Sequence, residues 1–343
     1  PITAIIKSET EEYMIEVDRF VGCLRGMDIE FFTAVPDSLL KSFCAYVTDA
    51  CGESHVIAAN EGGAVGLAAG HYLATGNPAL VYMQNSGLGN TVNPLLSLAD
   101  EKVYSIPMVL MIGWRGEPGV HDEPQHIFQG EVTLKLLKDM GIETFVIGKD
   151  TSDEDVADAM ESFRTVLSKG KDAAFVIRKE ALTDTPKVDY KNLNTMLREE
   201  IIQHIVMASG EDPIISTTGK TSRELFEVRE ANGQGHERDF LTVGSMGHSS
   251  SIALGIALHK SEMRVWCIDG DGAVLMHMGA MAIIGAIKPR NLVHIVVNNG
   301  AHESVGGMPT VASRIDLAAI AKVCGYINVF SVDSILSLDD VLN

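Results

Sequence analysis

Apolar residues along this chain form two alternating kinds of segment. Short continuous runs such as EFFTAV, PALVYMQ and IPMVLMIGW are bounded by polar, Gly or Pro residues, which predicts buried β-strands. Longer segments such as EGGAVGLAAGHYLAT carry small and apolar residues, which predicts helices packed closely against a neighbour. Strand and helix alternate through both halves of the chain, so the predicted fold class is α/β, with two doubly wound parallel sheets.

One polar stretch interrupts this alternation. Residues 181–192, ALTDTPKVDYKN, contain a proline and lack periodic apolar positions, which predicts a linker. The linker would separate a first α/β domain, residues 1–180, from a second, residues 193–343. The last residues, SLDDVLN, have the pattern of a helix that is only beginning, so we expect the natural chain to continue beyond Asn343.

Three further elements are predicted: two helices near candidate site residues, and a strand close to the end of the chain. Residues 36–47 are predicted to form a helix with Pro36 near its start. Residues 273–288 are predicted to form one continuous helix, and residues 327–332, INVFSV, a strand.

The charge balance argues against two classes of partner. The formal net charge of −19 at pH 7 repels nucleic acid and anionic membranes at long range, so an anionic substrate would need a local cationic pocket. No apolar run is long enough to span a membrane, and PITAIIKSETEEY lacks the pattern of a secretory signal. The five cysteines form no CxxC pair and mostly lie in apolar runs, which indicates reduced thiols and a cytoplasmic location.

Oxygen ligands follow two neighbouring strands predicted in the second half. VWCI leads into Gly270-Asp271-Gly272, and LVHIVV leads into Asn298-Asn299-Gly300. Because a helix joins the two strands, they run parallel and their carboxyl ends open on the same edge of the sheet. A carboxylate, an amide oxygen and a main-chain carbonyl suit Mg²⁺ or Ca²⁺ accompanied by an anion such as a diphosphate. The alternative is a pair of ordinary glycine turns.

GDG followed by NN after a helix and a strand resembles the signature of the thiamine diphosphate enzymes. The resemblance implies that Asp271, Asn299 and the carbonyl of Ala301 hold Mg²⁺ against the diphosphate of thiamine diphosphate. It implies a pyrimidine-binding domain followed by a diphosphate-binding domain, with no middle domain. The neighbouring residues that we expect to contact the cofactor are Gly270, Gly272 and Ala273.

The turn Gly244-Ser245-Met246-Gly247-His248 lies between a predicted strand and a predicted helix. Its glycines would let a ligand approach the main chain, although a plain tight turn favours the same residues. In the thiamine diphosphate enzymes, the matching turn holds a bulky apolar side chain under the cofactor and a carbonyl against its pyrimidine amine. The resemblance gives these roles to Met246 and Gly244, with Ser245 beside them.

Hydroxyl residues follow the strand PIIST in an equivalent position. The hydroxyl and amide groups of Thr218, Thr221 and Ser222 are candidates for binding the diphosphate. N-capping of the next helix would explain the same residue types, and the sequence leaves both possibilities open.

Two acids follow strands of the first half. Glu61 begins the small-residue helix, where a carboxylate also complements the helix dipole. The resemblance makes Glu61 the activator of the cofactor, sharing a proton with the pyrimidine ring, and surroundings of Ala, Gly and Val would favour this by raising its pKa. Asp37 follows EFFTAV and is a candidate helix cap, whereas the resemblance implies that it assists proton transfer.

The loop GWRGEPGVHDEPQH carries more ionisable side chains than a connection needs, although a solvated loop is the alternative. Many thiamine diphosphate decarboxylases have paired histidines here, whereas His121 is followed by Asp122, which leaves the proton donor open between His121 and other groups. We predict that Arg115 and His121 receive the anionic groups of the substrate, because an Arg matches a tetrahedral dianion bidentately. Asn85 and Ser86, after PALVYMQ, are further substrate candidates.

Longer motifs narrow the resemblance. VPDSLL, ANEGGAVGLAAGHYLATG, MQNSGLGNTVNPL, RGEPGVHDEPQH, STTGKTSREL, GSMGHSSSIALGIAL and NNGAHESVGGMPT resemble the phosphonopyruvate decarboxylases within this family. The implied reaction converts 3-phosphonopyruvate to phosphonoacetaldehyde and CO₂ in 2-aminoethylphosphonate biosynthesis. Sulfopyruvate decarboxylases, with a sulfonate substrate, are the nearest alternative. A non-catalytic cofactor-binding subunit is a third, which the presence of Glu61 together with Asp271 and Asn299 disfavours.

The resemblance also implies an assembly. In this family the activating Glu and the metal ligands reach one cofactor from different subunits. We therefore expect at least a homodimer, with the helix after Glu61 at or near the contact.

Overall fold

Residues 14–183, 194–305 and 307–342 are described by the structure, a computed structural model. The chain divides into two units, Pro1–Val188 (unit 1) and Asp189–Asn343 (unit 2). Residues 184–192 of the predicted linker lie outside the described residues. No helix of the described part is long and apolar enough to cross a membrane.

Unit 1 is built on a parallel sheet of six strands in the order β2-β1-β3-β4-β6-β5, which confirms the predicted class. Strands β4 and β6 are buried along their whole length, because a parallel sheet is covered on both faces, and this explains their uninterrupted apolar sequences. The strands are β1 (Phe32–Ala34), β2 (His55–Ile57), β3 (Ala79–Gln84), β4 (Met108–Gly113), β5 (Glu143–Ile147) and β6 (Ala173–Ile177). The helices are α1 (Val17–Arg25), α2 (Lys41–Ala50), α3 (Glu61–Thr75), α4 (Leu88–Pro94), α5 (Pro124–Asp139) and α6 (Asp153–Leu167).

Unit 2 is built on a parallel sheet of four strands in the order β10-β9-β7-β8, beside a short antiparallel pair, β11 and β12. The strands are β7 (Ile214–Ser216), β8 (Asp239–Leu241), β9 (Val265–Gly270), β10 (Leu292–Val297), β11 (Ala301–His302) and β12 (Met308–Pro309). The helices are α7 (Arg198–Ser209), α8 (Lys220–Ala231), α9 (Ser249–His259), α10 (Asp271–Met276), α11 (Gly279–Ile287), α12 (Leu317–Cys324) and α13 (Ile335–Leu342).

The prediction of a strand at residues 327–332 is wrong, because this segment does not pair with any strand. Val329 and Val332 pack against two different apolar clusters, one containing Val296 and the other Val297. Successive residues of a strand point to opposite faces, so these clusters lie on opposite faces of the sheet. The apolar residues of this segment therefore pack into two hydrophobic clusters, and its main chain does not pair with a strand.

Two helix predictions also need correction. Residues 273–288 form two helices, α10 and α11, because the backbone of His277 leaves the helical region. The helix predicted from Pro36 begins at Lys41 instead, since Asp37 accepts the main-chain N–H of Leu39 in a preceding turn. Helix α1 was not predicted at all.

Candidate active site

Asp37 lies in the turn after β1 and is fully buried. Its Oδ1 accepts a hydrogen bond from Gln84 Nε2 at 2.7 Å, and its Oδ2 accepts the Leu39 N–H at 3.0 Å. Burial raises the pKa of this carboxyl, opposed by the two hydrogen bonds and by the charge of Arg115. A Cβ at Gly113, at the end of β4, would collide with Asp37 Oδ2, so the acid depends on glycine at that position.

Glu61 is the first residue of α3, whose N-terminus is capped by Asn60 through the Gly63 N–H at 2.8 Å. The Glu61 residue is only 5% exposed, and its Oε2 accepts a hydrogen bond from Asn90 Nδ2 at 2.7 Å. A Cβ at Gly87 would lie 2.5 Å from Glu61 Oε1. A carboxylate at a helix N-terminus also interacts favourably with the helix dipole, and burial strengthens that interaction, so the cofactor role of Glu61 stays a prediction.

A single segment, which begins at the last residue of β3, contacts both acids. Gln84 binds Asp37 and Asn90 binds Glu61, with Gly87 between them leaving room for the Glu61 side chain. Ser86 donates from Oγ to Gln84 Oε1 at 2.7 Å, which fixes the orientation of the Gln84 amide. Sequence reasoning identified Ser86 but missed Gln84, Gly87 and Asn90, because amides and glycines at the end of a strand carry no distinctive signal.

Arg115, in the loop after β4, forms hydrogen bonds to two residues at this edge of the sheet, Asp122 and Ser38. Its Nε donates to Asp122 Oδ2 at 2.8 Å, its Nη2 donates to Asp122 Oδ1, and its Nη1 donates to Ser38 Oγ at 3.2 Å. The guanidinium holds the pKa of Asp122 well below its usual range, so this carboxylate is ionised. Asp122 Oδ2 also accepts the Gly116 N–H at 2.8 Å, which folds the loop back on itself.

Asn85 anchors the same loop from the end of β3. Its side chain accepts the Arg115 N–H at 3.1 Å and donates to the Arg115 carbonyl at 2.8 Å and to Thr133 Oγ1 at 2.9 Å. The Asn85 amide thus holds the main chain of Arg115 in place through its hydrogen bonds. His121 is exposed beside Asp122, and burial lowers the pKa of His126.

In unit 2, the predicted metal ligands follow the ends of two neighbouring strands. Asp271 is the first residue of α10 and is 3% exposed, and the register of the sheet pairs Gly270 with Val297 at the ends of β9 and β10. Asn299 follows two residues later, and its Oδ1 accepts the Ala301 N–H at 3.0 Å. The ends of the two strands therefore lie side by side, as the sequence predicted.

Thr310, which sequence reasoning missed, joins these two strand ends. Its hydroxyl donates to Asp271 Oδ2, and its main-chain N–H donates to the Gly300 carbonyl at 2.8 Å. The Asp271 carboxylate forms no ion pair with any Lys or Arg among the residues that the structure describes. A buried carboxylate without a cation is costly, and the oxygen donors around it suit Mg²⁺, so Asp271, Asn299 and the Ala301 carbonyl fit this ion.

The glycine-rich turn lies against the same site. A Cβ at Gly272 would lie 3.4 Å from Met246 Cε and 3.3 Å from His302 Cε1, so both side chains lie over Gly272. Ser245 and Gly247 have positive φ angles of 54° and 84°, which project Met246 between them. Met246 and Asp271 are thereby brought together through Gly272. Burial lowers the pKa of His302, opposed by the charge of Asp271.

Thr218 precedes α8 and Thr221 and Ser222 lie in its first turn, but none of the three caps that helix. Its N-cap is Gly219, with no side-chain capping bond, so the capping alternative is wrong. Ser222 donates from Oγ to the Thr217 carbonyl at 2.7 Å and lies 2.8 Å from Ser216 Oγ, which ties α8 to β7. Thr221 is buried and Thr218 half-buried, and diphosphate binding by these three residues stays a prediction.

Comparison with known proteins places this geometry in a family. Residues 17–137 match the N-terminal binding domain of thiamine pyrophosphate enzymes, and residues 217–343 match the C-terminal binding domain. A phosphonopyruvate decarboxylase of Streptomyces viridochromogenes is 35% identical, over 96% of this chain and 85% of its own. One from Streptomyces hygroscopicus is 33% identical, over 96% and 83%. A sulfopyruvate decarboxylase of Methanosarcina acetivorans is 30% identical, over 94% and 84%. The chain therefore belongs to the thiamine pyrophosphate (thiamine diphosphate) enzymes.

Proposed function

We propose that this protein is a thiamine diphosphate- and Mg²⁺-dependent decarboxylase that converts 3-phosphonopyruvate to phosphonoacetaldehyde and CO₂ in phosphonate biosynthesis. The similarity to two phosphonopyruvate decarboxylases across 96% of the chain carries this proposal. The buried Glu61 and Asp271, each enclosed by specific partners, agree with an active enzyme rather than a silent cofactor-binding subunit.

The second half of the chain, residues 193–343, would hold the diphosphate end of the cofactor. Asp271, Asn299 and the Ala301 carbonyl would bind Mg²⁺, with Thr310 orienting the Asp271 carboxylate. Met246 would support the bent cofactor from below. The other residues proposed to contact the cofactor are Thr218, Thr221, Ser222, Gly244, Ser245, Gly270, Gly272 and Ala273.

The first half, residues 1–180, would hold the pyrimidine end. Glu61 would share a proton with a ring nitrogen, and the Asn90 hydrogen bond to Oε2 leaves Oε1 for that contact. Thiamine diphosphate, when bound, would supply the electron sink that decarboxylation of a 2-oxo acid requires. Asp37 and His121 would then transfer to the product the proton that replaces CO₂. The raised pKa of Asp37 favours its protonated form.

Arg115 would supply the cationic centre that an anionic substrate requires. Asp122 occupies two of its nitrogens, so a phosphonate would take the remaining N–H groups or displace Asp122. Ser86 is exposed on the same edge and would add a hydroxyl contact, whereas Asn85 would act by fixing the Arg115 main chain.

The protein would act in the cytoplasm as at least a homodimer. One cofactor would lie between Glu61 of one subunit and the Mg²⁺ ligands of the next. The exposed apolar side chains of Leu67 and Leu73 on α3 are available for such a contact.

CO₂ release tests the substrate assignment. The purified protein with Mg²⁺ and thiamine diphosphate is assayed on equal concentrations of phosphonopyruvate, sulfopyruvate and pyruvate. We expect the highest kcat/KM on phosphonopyruvate. A preference for sulfopyruvate would support the second candidate function, sulfopyruvate decarboxylation, which the similarity of this chain to the Methanosarcina sulfopyruvate decarboxylase favours. No CO₂ from any of the three would contradict the proposed activity.

A further inference from the structure

A second group of possible metal ligands lies inside unit 2, on one face of the sheet. Cys267 and Asp269 are two residues apart on β9, so both side chains point to the same face. His294 on β10 is the register partner of Cys267. The Cys267 sulfur, an Asp269 oxygen and a His294 nitrogen all lie within 4.8 Å of one another.

One polar atom of Asp269 and one of His294 are buried and unsatisfied. The side chains of Asp269 and His294 are 0% and 3% exposed. Asp269 Oδ2 and His294 Nε2 have no hydrogen-bond partner in the described residues, and they lie 3.5 Å apart. Two ligands bound at the usual Zn²⁺ distances and tetrahedral angle would be about 3.4 Å apart. The observed separation is long for a hydrogen bond and suits an ion held between the two atoms.

The remaining atoms of both side chains are occupied by partners that orient them. His294 Nδ1 lies 2.9 Å from the Tyr326 hydroxyl, and Asp269 Oδ1 accepts the Gly270 N–H at 3.2 Å. This is the arrangement of metal-binding side chains, in which the atom facing away from the ion is fixed by a second hydrogen bond. Each side chain therefore keeps one buried atom without a hydrogen-bond partner, in the group that also contains Cys267.

We propose that Cys267, Asp269 and His294 bind a divalent transition-metal ion, of which Zn²⁺ is the best match. One thiolate, one imidazole and one carboxylate are typical Zn²⁺ ligands, whereas Mg²⁺ prefers oxygen alone. Binding would release the Cys267 thiol proton to solvent as the thiolate forms. The site would tie β9 to β10 directly before Asp271 and Asn299, so its role would be to fix the strand ends that carry the Mg²⁺ ligands.

Metal analysis of the intact protein tests this site without any assay of decarboxylation. The wild type is stripped with a chelator, incubated with Zn²⁺ or Co²⁺ without thiamine diphosphate, and freed of unbound metal. We expect one equivalent of Zn²⁺ per chain and the thiolate-to-metal absorption of bound Co²⁺. Folded wild type without bound Zn²⁺ would overturn the proposal and leave Asp269 and His294 as a simple ion pair.

Variants locate the bound metal. Cys267→Ser is expected to lose the Co²⁺–thiolate absorption, whereas Cys44→Ser, which removes an equally buried thiol from unit 1, keeps it. Asp271→Asn is expected to retain Zn²⁺ and to lose Mg²⁺-dependent cofactor binding. Absorption that persists in Cys267→Ser would contradict the assignment. Should Cys267→Ser fail to fold, the Zn²⁺ stoichiometry of the wild type decides.

Discussion

Asn90 donates a hydrogen bond from Nδ2 to Glu61 Oε2 at 2.7 Å, across the interface between helices α4 and α3. The bond explains how a carboxyl group at the start of a helix is held inside the protein instead of facing solvent. It leaves one Glu61 oxygen directed elsewhere, and Gly87 provides the room that this side chain occupies. The geometry at Glu61 is therefore set by residues that follow β3, more than twenty positions along the chain.

The Gly87 contact predicts a steric effect on activity. A Cβ at Gly87 would lie 2.5 Å from Glu61 Oε1, so Gly87→Ala should displace the acid. We expect kcat for decarboxylation to fall roughly 100-fold or more, because small displacements of a catalytic group are costly. Gly89→Ala is the matched control, since a Cβ there meets nothing within 4 Å. Equal activity of the two variants would show that Glu61 tolerates displacement or takes no part.

Thr310 predicts a change in metal affinity. Thr310→Val removes the hydroxyl that binds Asp271 and keeps the size of the side chain. We expect the dissociation constant of Mg²⁺, measured by titration calorimetry with thiamine diphosphate present, to rise roughly 10- to 100-fold. Thr310→Ser retains a hydroxyl and should bind Mg²⁺ nearly as well as the wild type. Wild-type affinity in Thr310→Val would mean that Asp271 needs no orienting partner.

Arg115 predicts a loss that depends on substrate charge. Arg115→Ala should raise the KM for phosphonopyruvate roughly 10- to 100-fold, the range expected for a charged hydrogen-bonded contact. The effect on pyruvate should be smaller, because pyruvate lacks the phosphonate. Arg19→Ala, at an exposed arginine of α1, is the control. An unchanged KM for phosphonopyruvate in Arg115→Ala would make Arg115 a purely structural partner of Asp122.

Asp172 predicts a pH dependence of stability. Burial raises its pKa to about 7, while its Oδ1 accepts the Met108 N–H at 3.0 Å. The folded state thus holds this proton more tightly than the unfolded state, whose Asp pKa is about 3.9. Stability from this group is complete below about pH 4 and falls as the pH rises to about 7, by roughly 4 kcal/mol in total.

Asp172→Asn removes this titration and keeps an acceptor for the Met108 N–H. In urea denaturation between pH 4 and pH 8, the variant should gain stability relative to the wild type as the pH rises. Asp158→Asn, on the exposed face of α6, should parallel the wild type. A stability difference between Asp172→Asn and the wild type that stays constant with pH would contradict the prediction.

Sequence patterns predicted those features that depend on residues close together in the chain. Continuous apolar runs identified the parallel strands, and polar residues at their ends identified Glu61 and Asp271. Parallel strands align their ends, so the neighbouring ends of β9 and β10, which Asp271 and Asn299 follow, could be predicted from topology alone.

Contacts made by distant segments escaped prediction. Thr310 reaches Asp271 only because the β11–β12 pair folds the chain back, and no pattern before that turn indicates it. The apolar run at 327–332 has the composition of a strand, yet its side chains complete two cores. The pairing of Arg115 with Asp122 also depended on the path of a loop without periodicity.

In the proposed function, Glu61 activates the same cofactor that Asp271 anchors. Exchange of the hydrogen on the thiazolium carbon of bound thiamine diphosphate with deuterated water measures this activation directly, before any substrate is added. We predict that wild type and Glu61→Gln both bind the cofactor with Mg²⁺, and that exchange is slower in Glu61→Gln by roughly 10²- to 10⁴-fold. Equal exchange rates in the two proteins, with the cofactor fully bound, would contradict the account.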